Sequence, residues 1–180
     1  MNIKTLIVTT LLFTVIAFFG FKKEETVSAT PSKNKVLIHL VTNIKKDDGP
    51  PCVAFDIALV NLKLGKKVEF LFDAEASWNL KRIEKDGKSD LDRYEVPKDL
   101  KELLVKELND KDILNIKNFG EFLSFLNKKG AKITVNGTWN VLTGVEKEIK
   151  GKTKLPNYVE PLGLKELASH INDSDTYYRY

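Results

Sequence analysis

Short apolar runs alternate with longer amphipathic stretches along most of the chain. Residues 35–42 (KVLIHLVT), 68–73 (VEFLFD) and 131–136 (AKITVN) are near-continuous apolar runs of strand length. Such runs are typical of strands that are covered on both faces. Residues 158–161 (YVEP) and 176–180 (TYYRY) are shorter strand candidates. Because helical patterns separate these runs, the sequence predicts βαβ units and a parallel sheet.

The segments between the predicted strands carry apolar residues at helical spacing. Pro51 suits the first turn of a helix over residues 52–64, and Gly65 and Gly130 lie just past the ends of two predicted helices. The predicted apolar faces consist of Val53, Ile57, Val60 and Leu64; Leu100, Leu103, Leu104 and Leu108; Phe119, Phe122, Leu123 and Leu126; and Leu164, Leu167, Ala168 and Ile171. Residues 74–117 form an elaborated connection. Together, these strands and helices predict an α/β fold: a flavodoxin-like, doubly wound and mainly parallel five-stranded sheet with helices on both faces.

The amino-terminal region has the layout of a secretory signal. An apolar run covers residues 5–21, and the small-residue tripeptide 27–29 (VSA) suits signal-peptidase cleavage after Ala29. We therefore expect residues 1–29 to be a signal peptide or, if uncut, an amino-terminal membrane anchor through residues 5–21. In both cases the single domain, residues 30–180, is expected to be exported to a periplasmic or other extracytoplasmic location.

Composition and charge narrow the function classes. The chain has 180 residues with 42% hydrophobic and 30% charged residues, which is ordinary for one globular domain. The net charge of +4 is mild and no aromatic residues are interleaved among the lysines, so nucleic acid is not an expected partner. Cys52 is the single cysteine, so an exported domain must be stabilised by packing without an internal disulfide.

Three stretches carry a family resemblance: residues 56–73 (DIALVNLKLGKKVEFLFD), 125–149 (FLNKKGAKITVNGTWNVLTGVEKEI) and 164–180 (LKELASHINDSDTYYRY). Together and in order they resemble the DsrE-like (DsrE/DsrF-like) sulfur relay family. The resemblance implies a flavodoxin-like fold, a homo-oligomer and a protein partner in sulfur transfer. Catalytic members carry a persulfide cysteine at the end of the third strand, where this chain has Asn136. Because an amide cannot act as a thiolate nucleophile, the resemblance implies a cysteine-substituted member.

Ligands of open parallel sheets bind outside the carboxyl ends of the strands. This rule places Asn43, Asp73, Trp78 and the loop of residues 136–144 around one crevice. The ligand-binding candidates are Asn43, Asp73, Trp78, Asn136, Thr138 and Trp139. Each also has a structural explanation, because Asn and Thr make turns and caps, and because tryptophans often pack between subunits.

Cys52 is the candidate catalytic residue of an alternative hypothesis. A position in the first helical turn favours a thiolate, and Lys45 and Lys46 would favour it further if their loop folds back. A small buried side chain is the competing explanation. His39 and His170 have no partner at ligand spacing, so a structural role is expected for both; the sequence contains neither a metal motif nor an acid–base pair at a recognised spacing, and it indicates no cofactor.

Three functional hypotheses follow. The favoured one is an exported DsrE-like accessory protein that binds a small ligand or a partner. The alternative is a thiol-dependent sulfur carrier or sulfurtransferase that uses Cys52. The third is a purely structural assembly subunit whose crevice faces another subunit. The sequence leaves open whether the protein is an enzyme.

Overall fold

The computed structural model describes residues 34–180, so the predicted signal, residues 1–29, lies outside the described residues. The strands are β1 (Lys35–Leu40), β2 (Lys67–Phe72), β3 (Lys132–Asn136), β4 (Val159–Leu162) and β5 (Thr176–Arg179). The α-helices are α1 (Gly49–Lys63), α2 (Lys98–Leu108), α3 (Phe119–Lys128), α4 (Gly137–Leu142) and α5 (Leu164–Asn172). Three 3₁₀ helices, Ala74–Leu80, Leu91–Arg93 and Lys111–Asn115, lie in the connection between β2 and α3.

The five strands form one sheet in the order β4-β3-β2-β1-β5, and every pair is parallel. The predicted doubly wound α/β architecture is confirmed, and the sheet is parallel throughout. All strands therefore end at one edge, here called the carboxyl edge, and begin at the opposite edge, here called the amino edge. Because β4 and β5 lie at opposite ends of the sheet, helix α5 must cross over it.

The first face of the sheet carries the main core. Helices α1, α2 and α3 pack there against alternate residues of β1 to β4. An aromatic cluster lies at the centre, where the ring of Phe55 in α1 is 5.0 Å from Phe70, 5.1 Å from Phe119 and 5.3 Å from Phe122, between centroids. Such edge-to-face contacts add to the stabilisation that burial of these large rings provides.

The second face is only partly covered. Leu37, Leu71 and Leu162 are buried there beneath Leu167 and Ile171 of α5. No residue of α5 itself is fully buried. The second face of the sheet also carries polar side chains that a single crossing helix leaves close to solvent, and these side chains define the candidate sites.

The structure corrects the predicted face of α1. The residues that α1 buries include Ala54, Phe55, Ala58 and Leu59, whereas Val53 and Leu64 of the predicted stripe are 46% and 68% exposed. Both groups of residues are spaced as on one face of a helix. The group that contains Ala54 and Ala58 is the buried one, because the small alanines let α1 approach the sheet closely. In α3 the predicted residues Phe119, Phe122, Leu123 and Leu126 are all buried, as expected.

The connection between β2 and α3 is folded and tied to the domain. Asp110, which is buried beyond the end of α2, forms ion pairs with Lys63 at the end of α1 (2.6 Å) and with Lys129 after α3 (3.1 Å). Among residues 34–180, no helix is long and apolar enough to cross a membrane.

Candidate functional site

Asp73 and Asn136 meet at the carboxyl edge, as their positions after β2 and at the end of β3 predict. The Asn136 amide nitrogen donates a 2.8 Å hydrogen bond to Oδ1 of Asp73, and the Ala74 N–H donates to the same oxygen at 2.6 Å. The Asn136 side-chain oxygen accepts from the Trp139 N–H at 3.0 Å and so caps α4. The predicted loop of residues 136–144 therefore contains a short helix, because Asn136 satisfies one of its free amides.

His39 extends this pair towards β5. Its Nε2 is 3.1 Å from Oδ2 of Asp73, and its Nδ1 is 2.6 Å from the hydroxyl of Tyr177. We call Tyr177, His39, Asp73 and Asn136 the carboxyl-edge cluster. Residues of β1, β3 and β5 and the residue that follows β2 thus form one hydrogen-bonded series on the second face of the sheet.

From the sequence, a structural role was expected for His39, no acid–base pair was expected at a recognised spacing, and Tyr177 was not a candidate residue. The strand order explains the omission, because β1 lies between β2 and β5 and so brings both partners to His39. A signal was present in the alternation of side chains: His39 and Tyr177 occupy the same face as Asp73, since residues two apart on a strand share a face. To predict the cluster from this alternation, one would also need to know that β1 pairs with β5.

The electrostatics of the cluster keep Asp73 charged. Burial disfavours its carboxylate, but the hydrogen bonds from His39, Asn136 and the Ala74 amide outweigh burial and hold its pKa below the ordinary value. Burial raises the pKa of Tyr177; the charge of Arg179 opposes this rise, and the charge of Asp73 adds a smaller one. At neutral pH the series therefore joins a carboxylate to a neutral phenol through the imidazole of His39.

The cluster has one accessible end. His39 and Asn136 are 6% and 8% exposed, whereas Tyr177 is 44% exposed. Arg179 projects from the same side of β5 as Tyr177 and is also exposed. Within residues 34–180 no carboxylate forms an ion pair with Arg179. A phenol backed by a histidine thus lies beside an unpaired guanidinium.

The tautomer and charge of His39 set what the Tyr177 hydroxyl can do. A neutral ring that donates from Nε2 to Asp73 accepts a hydrogen bond from the Tyr177 hydroxyl at Nδ1. A protonated ring donates from both nitrogens, so the Tyr177 hydroxyl is then free to donate to a bound anion.

The other predicted residues lie around or away from this cluster. Thr138 and Trp139 are half-buried beside it in α4, and the buried Trp139 Nε1 has no hydrogen-bond partner in the described part of the chain. Asn43 and Trp78 instead line a separate cavity of about 340 Å³ with Lys45, Lys81 and Asp90. The single crevice expected from the sequence is therefore two places at the carboxyl edge.

Cys52 lacks the environment of a reactive thiol. Burial, together with the charges of Asp48 and Asp56, raises its pKa to about 11. Its N–H is bonded to the Asp48 carbonyl at 3.0 Å, and Lys45 and Lys46 pair with Asp90 and Glu75 at 2.8 and 2.7 Å. Burial and the two carboxylates therefore outweigh the smaller effect of a backbone hydrogen bond that lowers the Cys52 pKa, and both lysines are paired with other residues. Among residues 34–180, no group of three His, Cys, Asp or Glu residues is arranged to hold a metal ion.

Comparison with known proteins supports the fold. No protein-family model matches the sequence, and no curated protein matches it. The structure is similar to the crystal structure of the YchN protein from E. coli, with a TM-score of 0.53 and 13% sequence identity over 82% of this chain and 99% of that chain. The chain therefore has a five-stranded α/β fold of the kind seen in YchN.

Proposed function

We propose that the protein is an exported DsrE-like accessory protein that binds a small oxyanion at the carboxyl-edge cluster. The observation that carries this proposal is the series from Asp73 through His39 to the exposed Tyr177 hydroxyl, with Arg179 beside it. A guanidinium and a phenol are both hydrogen-bond donors to oxyanions. Because Asp73 and Asn136 are held by internal hydrogen bonds, they position His39, and Tyr177 and Arg179 make the contact.

The proposed function differs from sulfur transfer, because Asn136 stands where the resemblance places a persulfide cysteine. At the end of β3, the side chain of the buried Asn136 donates a hydrogen bond to Asp73 and caps α4. Asn136 therefore has a structural role at this position. Elsewhere, Cys52 is half-buried on α1, and its raised pKa leaves little thiolate at neutral pH. A sulfur carrier needs that thiolate, and the proposal therefore assigns no persulfide chemistry to either position.

Intact mass tests the choice between binding and sulfur transfer. The full chain is incubated with thiosulfate or with glutathione persulfide, and its mass is measured before and after reduction. We expect no reducible gain of one sulfur atom, and a Cys52 thiol that alkylates only after unfolding. A reducible adduct that the Cys52→Ser variant cannot form would overturn the proposal and establish the thiol-dependent alternative.

Export and self-association complete the proposal. Export rests on the apolar run and small-residue tripeptide of residues 1–29. Self-association is supported by α5, which has no fully buried residue and whose first residue, Leu164, is 60% exposed on the half-covered second face. Cell fractionation with amino-terminal sequencing tests export. Light scattering of the purified protein tests self-association.

A further inference from the structure

A second cavity lies at the opposite end of the sheet. It has a volume of about 310 Å³, and its charged and polar lining includes Lys35, Lys67, Lys132, Glu69, His170 and Asp173. Lys35, Lys67 and Lys132 are the first residues of β1, β2 and β3, so the cavity opens at the amino edge. It is therefore separate from the carboxyl-edge cluster and does not depend on the function proposed for that cluster.

The rim of the cavity is cationic. Lys35 and Lys67 are exposed and lie directly opposite each other in the register of β1 and β2. Neither forms an ion pair with any residue between 34 and 180. Lys132 differs, because its ammonium pairs with Glu160 at 3.0 Å. The lining carries three ammonium groups against the two carboxylates of Glu69 and Asp173, and this excess of positive charge attracts an anion.

The floor of the cavity is a fixed carboxylate. Oε1 of Glu69 accepts a hydrogen bond from the hydroxyl of the fully buried Thr134 at 2.8 Å, and Nδ1 of His170 lies 2.6 Å from the same oxygen. The other oxygen, Oε2, forms no hydrogen bond within residues 34–180. Glu69 is therefore held in place by one oxygen and presents the other as an acceptor for a donor group.

We propose that this cavity binds a small organic anion that also carries a hydroxyl or amino group. Its phosphate or carboxylate contacts the ammonium groups of Lys35 and Lys67, and its hydroxyl or amine donates to Oε2 of Glu69. The volume is at the lower end of the range for ligand pockets, which limits the ligand to a small molecule. The acceptor on the floor distinguishes such a ligand from an inorganic anion.

Titration of the full chain with four probes tests the proposal. The probes are glycerol 3-phosphate, glycerate, inorganic phosphate and glycerol, with binding followed by backbone amide NMR. We expect saturable shifts at Leu37, Glu69 and Lys132 with glycerol 3-phosphate or glycerate, binding weaker by about fivefold or more with inorganic phosphate, and none with glycerol. Tighter binding of glycerol 3-phosphate would identify the ligand as a phosphate, and tighter binding of glycerate would identify it as a carboxylate.

Matched variants locate the binding energy. Lys67→Gln is expected to weaken binding of the preferred probe by about fivefold or more, whereas Lys106→Gln, an exposed lysine on α2, leaves it unchanged. Glu69→Gln is expected to remove the preference over inorganic phosphate. The proposal is overturned if neither organic anion gives saturable shifts at the amino edge, if inorganic phosphate binds as tightly, or if Lys67→Gln binds like Lys106→Gln.

Discussion

Asp56 is a half-buried carboxyl group on α1 whose titration opposes folding above neutral pH. Burial raises its pKa to about 7, and the charge of Glu107 on α2 adds to this effect. A raised carboxyl pKa means that the folded state binds the proton more tightly than the unfolded state. Stability is therefore greatest below the ordinary value of 3.8 and falls as the pH rises towards and through about 7.

Replacing Asp56 by Asn should remove this penalty. We expect Asp56→Asn to raise the free energy of unfolding at pH 8 by about 1 to 2 kcal/mol, after allowance for partial solvent screening, and to have little effect at pH 4. Urea unfolding at both pH values measures it. Glu95→Gln, which removes an exposed carboxylate, is the control. An equal effect of the two variants at pH 8 would show that Asp56 carries no special penalty.

The residues of the candidate site could be predicted only in part. Asp73 and Asn136 each follow an apolar run, so the general rule for parallel sheets was enough to place them together. His39 lies inside the run of β1 and Tyr177 inside that of β5, where a polar side chain has no local signature. Their partners depend on which strands are neighbours, and no short segment of sequence determines the strand order.

The junction between β3 and α4 is the tightest element boundary near the site. A Cβ atom on Gly137 would lie 2.0 Å from the carbonyl oxygen of Ile149, which belongs to the backbone and cannot rotate away. The absence of a side chain at Gly137 therefore lets the segment around Ile149 pack against the start of α4. This contact holds the helix that Asn136 caps in place beside the cluster.

Adding one methyl group at Gly137 tests the importance of this contact. We expect Gly137→Ala to lower the free energy of unfolding by about 1 to 3 kcal/mol, because overpacking forces the backbone to shift. Gly163→Ala is the matched control, since its nearest atom would be the side-chain Oε2 of Glu166 at 3.6 Å. Thermal unfolding of both variants measures the difference. Equal melting temperatures would contradict the close approach.

Elements were predicted better than their orientations. The strand bounds agree with the apolar runs to within about two residues, because continuous runs bounded by Gly, Pro and Lys have few alternatives. The face of α1 was predicted wrongly, because that helix is apolar on most sides and its spacing fits two stripes. The helical fold of residues 137–142 was not predicted, because it depends on the cap that Asn136 supplies.

At the scale of the whole domain, Asp110 joins three parts of the first face. Its ion pairs with Lys63 and Lys129 connect the segment after α2 to the ends of α1 and α3. The hydrogen bond from Lys63, with that from Lys129, lowers the pKa of Asp110 to about 2 against the opposing effect of burial. A depressed carboxyl pKa contributes stability above the ordinary value of 3.8, and that stability is lost as the pH falls through about 2.

Removing this charge should weaken the whole domain at neutral pH. We expect Asp110→Asn to lower the free energy of unfolding at pH 7 by about 1 to 3 kcal/mol, because the buried carboxylate that pairs with two lysines is replaced by a neutral amide. The difference should shrink as the pH approaches 2. Chemical unfolding between pH 2 and 7 measures it, with Asp99→Asn on the exposed start of α2 as the control. A loss of stability that does not depend on pH would exclude the ionic explanation.

The two faces of the sheet have different roles. The first face holds the aromatic core and supplies most of the apolar burial. The second face is crossed by α5, which leaves polar clusters accessible at both edges. This division makes the central claim specific: an oxyanion should bind beside Tyr177 without any chemistry at Cys52.

Thiosulfate binding to the full chain, followed by backbone amide NMR, tests that claim most directly. We predict saturable shifts at Asp73, Asn136 and Tyr177 that Tyr177→Phe weakens by about tenfold, because it loses a hydrogen bond to a charged ligand. Tyr178→Phe removes a hydroxyl from the opposite face of β5 and should bind thiosulfate like the unchanged protein. The absence of saturable shifts at the carboxyl edge, or equal binding by both variants, would contradict the proposed function.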